Sequence, residues 1–297
     1  MSPVLRPTRL PAVEPAPFGT VALTDREFAR LRTLVRAETG IALRESKRAL
    51  VCARLGRRLR HYGYSTFEEY CDHLQERDPA GEERRRLANA ITTTKTDFYR
   101  EQHHFDFLRD TVLPALVRAG VERLRLWSAG CSTGEEAYSL AATLLDGLPR
   151  GRPWDARILA CDVNGDALAT AEAGIYAREL VAKVPAVVLK RHFTPVPGEP
   201  SLVSVNAALR ELIAFRRINL CQQPWPIRTK FDVIFCRNVM IYFDRATQST
   251  LLQALVAQLV PGGYLFLGHS ESLLGAEMRL TYVARTVYQK PPPTGQG

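Results

Sequence analysis

Between residues 124 and 268, short apolar runs alternate with amphipathic stretches, and this alternation constrains the fold more than any other feature. LRLWSAG (124–130) and RILACDV (157–163) have the length and composition of strands; ELIAFRRINL (211–220) and FDVIFCRNVMIYF (231–243) contain further ones. Between them, Glu135 to Leu148 and Ala246 to Leu259 carry helical periodicity. Strands separated by helices predict an α/β fold with a doubly wound, mostly parallel sheet. The end departs from this rhythm: GGYLFLG (262–268) and RTVYQK (285–290) leave no room for a crossover helix, which predicts a reversed, antiparallel terminal hairpin. Residues 178–212 fit neither pattern; proline-rich turns and the alternating run Leu202 to Val205 predict a small β insertion.

Upstream the pattern is purely helical. Thr24 to Glu27 and Ser65 to Glu68 read as capping boxes, each opening a helix. The first helix places Phe28, Leu31, Leu34 and Val35 on one face; the second capped helix buries Phe67, Tyr70 and Leu74. A helix from about Ser46 to Tyr62 stops at Gly63, and another spans Glu82 to Ile91 after the Asp78-Pro79 break. The expected organisation is a tail at 1–20, a small all-α domain at 21–95, the α/β domain at 96–290 and a tail at 291–297. The proline-rich N-terminus lacks the apolar core of a secretory signal, and no apolar stretch is long enough to span a bilayer. The expected location is cytoplasmic, with no membrane insertion. The six cysteines are scattered without a CxxC pair, so no metal site is expected.

The turn in LWSAGCSTGEEAYSLA (126–141) carries the first chemical signal. Gly130 and Gly134 let the backbone approach a ligand at the carboxyl edge of the sheet, where doubly wound folds bind cofactors. A dinucleotide site requires GxGxxG and a helix N-terminus aimed at pyrophosphate. This loop has GxxxG, and Glu135 and Glu136 occupy the place of the phosphate. That arrangement repels pyrophosphate and suits a phosphate-free ligand with a cationic end, such as S-adenosylmethionine. The plainer alternative is an ordinary strand–helix turn whose acidic residues favour the helix dipole. Asp162 ends the next strand, placed either to accept hydrogen bonds from ribose hydroxyls or to cap the following helix. In FCRNVMIYF (235–243), an apolar strand gives way to Arg237 and Asn238 in the same crevice, with Tyr242 placed to face a reacting group. In ITTTKTDFYREQHHF (91–105), Thr92, Thr93, Thr94 and Thr96 offer hydroxyls at the domain junction, and Arg100 is a natural carboxylate partner. His103 and His104 are adjacent and read as surface or packing residues.

In this order, GCSTGEEAYS, CDVN, INL, FCRNVMIYF, GGYLFLGHSES and TVYQ closely resemble the CheR-type chemoreceptor glutamate methyltransferases of bacterial chemotaxis, over nearly the whole chain after the tail. The resemblance implies a Rossmann-like methyltransferase domain behind the helical one. It implies an enzyme that moves a methyl group from S-adenosylmethionine to glutamate carboxylates, leaving S-adenosylhomocysteine. By position it implies a cofactor pocket of Thr94, Thr96, Arg100, Glu136, Asp162, Asn219, Leu220, Arg237 and Asn238, with Arg100 and Tyr242 nearest the transferred methyl. Thr94 departs from the family's usual asparagine.

A glutamate with pKa about 4.3 is ionised at neutral pH, so attack on a sulfonium methyl needs no general base. The net charge of +9 implies an acidic partner. Within residues 44–60, Arg44, Lys47, Arg48, Arg54, Arg57, Arg58 and Arg60 face Glu45 alone, and Arg54, Arg57, Arg58 and Arg60 are the expected grip on substrate. The resemblance makes that substrate the glutamate-bearing helical bundle of a chemoreceptor, bound by a monomer. Two rival readings are a nucleic-acid methyltransferase on the same fold and a cofactor-binding adaptor. Against the first, the Asn/Asp-Pro-Pro-aromatic loop is absent, and so is an aromatic stacking platform in the basic segment.

Overall fold

The structure is a computed structural model and describes residues 21–151, 154–271 and 280–292. The predicted tail at 1–20, and all but residues 291–292 of the one at 291–297, therefore lie outside the described residues. The chain opens with α1 (Asp25–Thr39), α2 (Arg48–Tyr62), α3 (Phe67–Glu76) and α4 (Glu82–Ile91). Thr24 and Glu27 form the expected capping box, and Gly40 ends α1 in the left-handed conformation. The second box sits one residue later than predicted: Thr66 is the cap and Glu69 its partner, because the carboxylate must stand three residues beyond the cap. Glu69 still takes the Ser65 amide as well, at 2.8 Å. Phe28, Leu31, Val51, Leu55, Phe67, Tyr70 and Leu87 are fully buried in one apolar cluster that joins the four helices.

Two short helices, α5 (His103–Phe107) and α6 (Leu113–Arg118), lead through a π turn into the α/β domain. There follow β1 (Arg123–Ala129), α7 (Glu135–Gly147), β2 (Asp155–Asp162) and α8 (Gly165–Ala173). A small sheet interrupts: β3 (Ile175–Ala177), α9 (Ala186–His192), β4 (Phe193–Val196) and β5 (Glu199–Val205), closed by α10 (Ala207–Arg210). The chain ends with β6 (Ile213–Arg217), β7 (Phe231–Cys236), α11 (Arg245–Gln258), β8 (Leu259–Leu267), β9 (Thr281–Ala284) and β10 (Val287–Gln289). The main sheet has the order β6-β2-β1-β7-β8-β10-β9, parallel from β6 to β8, with β10 antiparallel to β8. The reversed hairpin therefore forms as expected, with β9 as a further strand that the sequence did not announce.

The β insertion is a three-stranded antiparallel sheet that begins before residue 178. Gly174 ends α8 at φ 56°, which turns the chain straight into β3. Tyr176 of that strand is buried against Phe98, ring centres 5.0 Å apart. The central strands β1, β7 and β8 of the main sheet are covered on both faces, as strands of a parallel sheet usually are. Leu124, Leu126, Ile158, Val233 and Phe266 pack under α7 on one side. On the other, Trp127, Ile234 and Leu265 join Leu251 and Leu255 of α11. Cys161 and Cys236 are buried free thiols within this packing. Among the described residues no helix is long and apolar enough to cross a membrane.

Candidate active site

A cavity opens at the carboxyl ends of β1, β2, β6 and β7. Its floor is the turn after β1. A Cβ at Gly130 would stand 2.3 Å from Val239 Cγ2, and one at Gly134 2.8 Å from Ala171 Cβ; both backbones also have strongly positive φ. No other residue type fits either position without displacing its neighbour. Ser132 holds φ 51° between them. That strain is offset by hydrogen bonds: its amide donates to Asp162 Oδ2 at 2.8 Å and its hydroxyl to the Thr94 carbonyl at 3.0 Å. Asp162 takes the Asn164 amide on its other oxygen at 2.9 Å. Burial pushes its carboxyl pKa upward, partly countered by those amides. It thus borders the cavity as a fixed hydrogen-bond acceptor.

Glu136 is buried beside it. Its carboxylate accepts from Ser128 Oγ at 2.7 Å and from Arg237 Nε at 2.9 Å. Arg237, with a side chain 1% exposed, also donates to the Arg100 carbonyl at 2.7 Å and meets His104 Nδ1 at 3.0 Å. A guanidinium only donates, so His104 Nδ1 must accept and its proton sits on Nε2. That nitrogen faces Thr286 Oγ1 at 2.8 Å, and the Thr286 hydroxyl itself donates to the Arg285 carbonyl. His104 is therefore neutral; burial first, and the Arg237 charge second, drive its pKa down to about 3. Glu101 completes the network, 3.6 Å from Arg237, with φ 58°. Glu101, His103 and His104 lie close enough to hold a cation, but the guanidinium against two of them opposes one.

Glu135 does not reach the cavity. Its carboxylate accepts from Thr133 Oγ1 at 2.7 Å and is buried, which raises its pKa. The sequence argument from two acids at this turn thus reduces to one, Glu136. The loop after β7 is held by Glu271, whose carboxylate receives the amides of Asn238, Met240 and Gly268, each at 2.7 Å. Asn238, at φ 59°, is kept in place by that grip. Sequence reasoning missed Glu271 and Glu101. The GHSES run carries Glu271 and its near partner Gly268 but gives no hint of Asn238 and Met240, 33 and 31 residues upstream.

Thr96, Arg100, Glu136, Asp162, Asn219, Leu220, Arg237, Asn238 and Tyr242 all border the cavity. Thr94 does not: its side chain is exposed, and only its carbonyl is engaged, by Ser132. Thr92 and Thr93 line the wall in its place. Asn219 is tied twice, donating to the Glu38 carbonyl at 2.8 Å and accepting from the Cys221 amide at 2.9 Å. Arg100 donates to the Lys95 carbonyl at 3.1 Å through Nη1 and borders the cavity, its other guanidinium donors taking no further partner among the described residues. The helical domain supplies the roof with Thr39 and Ile41.

The basic helix α2 divides. Arg54 donates to the carbonyls of Ile91 and Thr92, at 2.8 and 2.9 Å, and so caps α4. Arg58 pairs with Glu83 at 2.8 Å, and Tyr62 and Tyr70 donate to the same carboxylate. These two arginines are spent inside the protein. Arg57 and Arg60 are exposed and make no such contacts among the described residues.

The chain matches two family models: "CheR methyltransferase, SAM binding domain" over residues 94–289 and "CheR methyltransferase, all-alpha domain" over residues 26–92. It is 42% identical to chemotaxis protein methyltransferase 2 of Pseudomonas aeruginosa, over 94% of this chain and 99% of that one. It is 40% identical to the chemotaxis protein methyltransferase of Escherichia coli, over 90% and 92% respectively. The corresponding protein of Borreliella burgdorferi is 34% identical, over 91% and 96%.

Proposed function

The chain belongs to the CheR methyltransferase family, and on that premise we propose that it methylates glutamate carboxylates of chemoreceptors with S-adenosylmethionine. The observation that carries this reading is the donor set of one cavity. Buried carboxylates stand at neighbouring strand tips, Glu136 and Asp162, with the open guanidinium of Arg100 at the same cavity. That set matches a zwitterionic nucleoside without phosphates: Glu136 would take the ammonium, Arg100 the carboxylate and Asp162 the ribose hydroxyls. Asn219 and Leu220 would border the base, and Thr96 and Asn238 the polar walls.

When bound, the cofactor supplies a methyl group on a cationic sulfur. The protein's own part is positioning and exclusion of water. Arg237 acts through Glu136, fixing that carboxylate from behind and leaving its own charge neutralised. Tyr242 borders the opening where an incoming carboxylate would approach. His104, the buried imidazole nearest the network, is neutral and has both ring nitrogens engaged, so it is unavailable as a base. The reaction does not require one, because the nucleophile is already an anion.

Arg57 and Arg60 remain to meet an acidic helical bundle. A monomeric enzyme in the cytoplasm goes with this reading. Neither rival, a nucleic-acid methyltransferase or an adaptor, is favoured by any feature of the site. Incubation with radiolabelled cofactor and either receptor-containing membranes or RNA tests it: label on receptor protein, released by mild base, is expected. Base-stable label, or label on RNA, would overturn the assignment.

A further inference from the structure

We propose that the uncovered sheet face formed by β2 and β6 is a second binding surface, which takes an extended acidic peptide segment. The crossover from β6 to β7 is made by residues 218–230, without a helix. Trp225 of that segment packs edge-on against Trp127 of β1, ring centres 5.0 Å apart, and α11 covers β7 and β8. Beyond them the same face of β2 and β6 lies open: Arg157, Ala214 and Arg216 are exposed and Leu159 is half-buried. A groove runs there, bordered by Arg125, Arg157, Arg216, Arg217 and Arg228.

Two of these arginines are committed. Arg125 pairs with Asp155 at 2.7 Å, and Arg217 donates to the Val163 carbonyl at 2.9 Å. The others differ. Among the described residues no carboxylate lies within ion-pair distance of Arg157, Arg216 or Arg228. Arg157 and Arg216 turn only onto the carbonyl of the preceding residue, at 2.9 and 2.7 Å. Surfaces ordinarily intersperse both signs; here Asp155, held by Arg125, offsets only part of the charge, and the remaining guanidiniums repel one another until an anion joins them.

The register selects the shape of that anion. Leu159 pairs with Ala214 and Cys161 with Arg216. Arg157 and Arg216 therefore stand four residues apart along the sheet, about 13 Å at roughly 3.3 Å per residue. The apolar Leu159 and Ala214 lie between them. An extended peptide repeats the same spacing, so carboxylates at positions i and i+4 with an apolar side chain at i+2 meet both guanidiniums and the apolar floor. Single-stranded nucleic acid is disfavoured: the aromatic ring at this groove, Phe231, is buried and offers no face for a base. The surface goes beyond the methyl-transfer reading and does not depend on it.

Fluorescence anisotropy of the full chain at low salt tests the proposal, with a labelled peptide repeating Glu-Ser-Leu-Ser-Glu and its glutamine counterpart. The acidic peptide is expected to bind at least about tenfold tighter than the glutamine one. Arg157→Glu combined with Arg216→Glu should remove that preference at an unchanged thermal unfolding midpoint. Arg57→Glu combined with Arg60→Glu should keep it. Equal binding of the two peptides overturns the proposal, as does loss in the Arg57 and Arg60 variant with retention in the groove variant. So does a groove variant that loses only a single-stranded oligonucleotide or phosphatidylserine vesicles while still binding the peptide.

Discussion

His104 is fully buried and neutral, with its pKa pushed down to about 3 by burial and by Arg237. In the unfolded chain an imidazole titrates near pH 6.5, so between those values the unfolded state binds a proton that the folded state refuses. Stability is therefore lost as pH falls below about 6.5, at roughly 1.4 kcal/mol per unit, until the folded-state pKa is reached. His104→Asn keeps an acceptor for Arg237 and removes the titration. Urea unfolding at pH 7 and pH 5 should show the wild type losing about 1–2 kcal/mol more than the variant; equal losses would mean that His104 is not held neutral. At this scale the sequence was legible where chemistry is local. Asp162 and Glu136 announced themselves by ending a strand and opening a helix. Glu271 and Glu101 did not, because their partners are brought near only by the sheet.

Helix α2 shows why a charge run cannot be read as a surface. Arg58 and Glu83 are 25 residues apart in sequence, and only the packing of α2 on α4 reveals them as a buried pair. Burial alone would raise the Glu83 pKa, but hydrogen bonds from Arg58, Tyr70 and Tyr62 outweigh it and hold it below the usual range. Arg58→Met strips a buried carboxylate of its counter-charge and should destabilise the protein by about 3 kcal/mol in chemical denaturation. Arg57→Glu with Arg60→Glu should leave stability within about 0.5 kcal/mol and slow receptor methylation instead. The reverse pattern would return Arg58 to the substrate surface. The starts of the box-capped helices were legible to within a residue, since Thr24 and Glu27 fix the first turn of α1 by local geometry. The short strand β9 was not: four residues without alternation give no period to detect.

The two domains make one site. The Ala42 amide donates to the Tyr242 carbonyl at 2.9 Å, Asn219 reaches the Glu38 carbonyl, and Arg36 pairs with Asp244. Gly40 lies in this seam at φ 75°, and a Cβ there would stand 2.2 Å from Cys221 Sγ. Gly40→Ala should lift α1 from the loop after β6, displacing Thr39 and Ile41 from the cavity roof. Its thermal midpoint should fall and its affinity for S-adenosylhomocysteine should drop by at least about tenfold; an unchanged affinity would mean that the helical domain does not help form the pocket. The arrangement of a helical domain ahead of a mostly parallel sheet was readable from periodicity, but this seam was not, since it joins backbone carbonyls and an ion pair between residues far apart in sequence. Calorimetric titration of the intact protein with S-adenosylhomocysteine, in parallel with a dinucleotide, tests the account most directly. Micromolar binding of the phosphate-free nucleoside and none of the dinucleotide is the predicted result; no heat with the first, or saturable binding of the second, would contradict it.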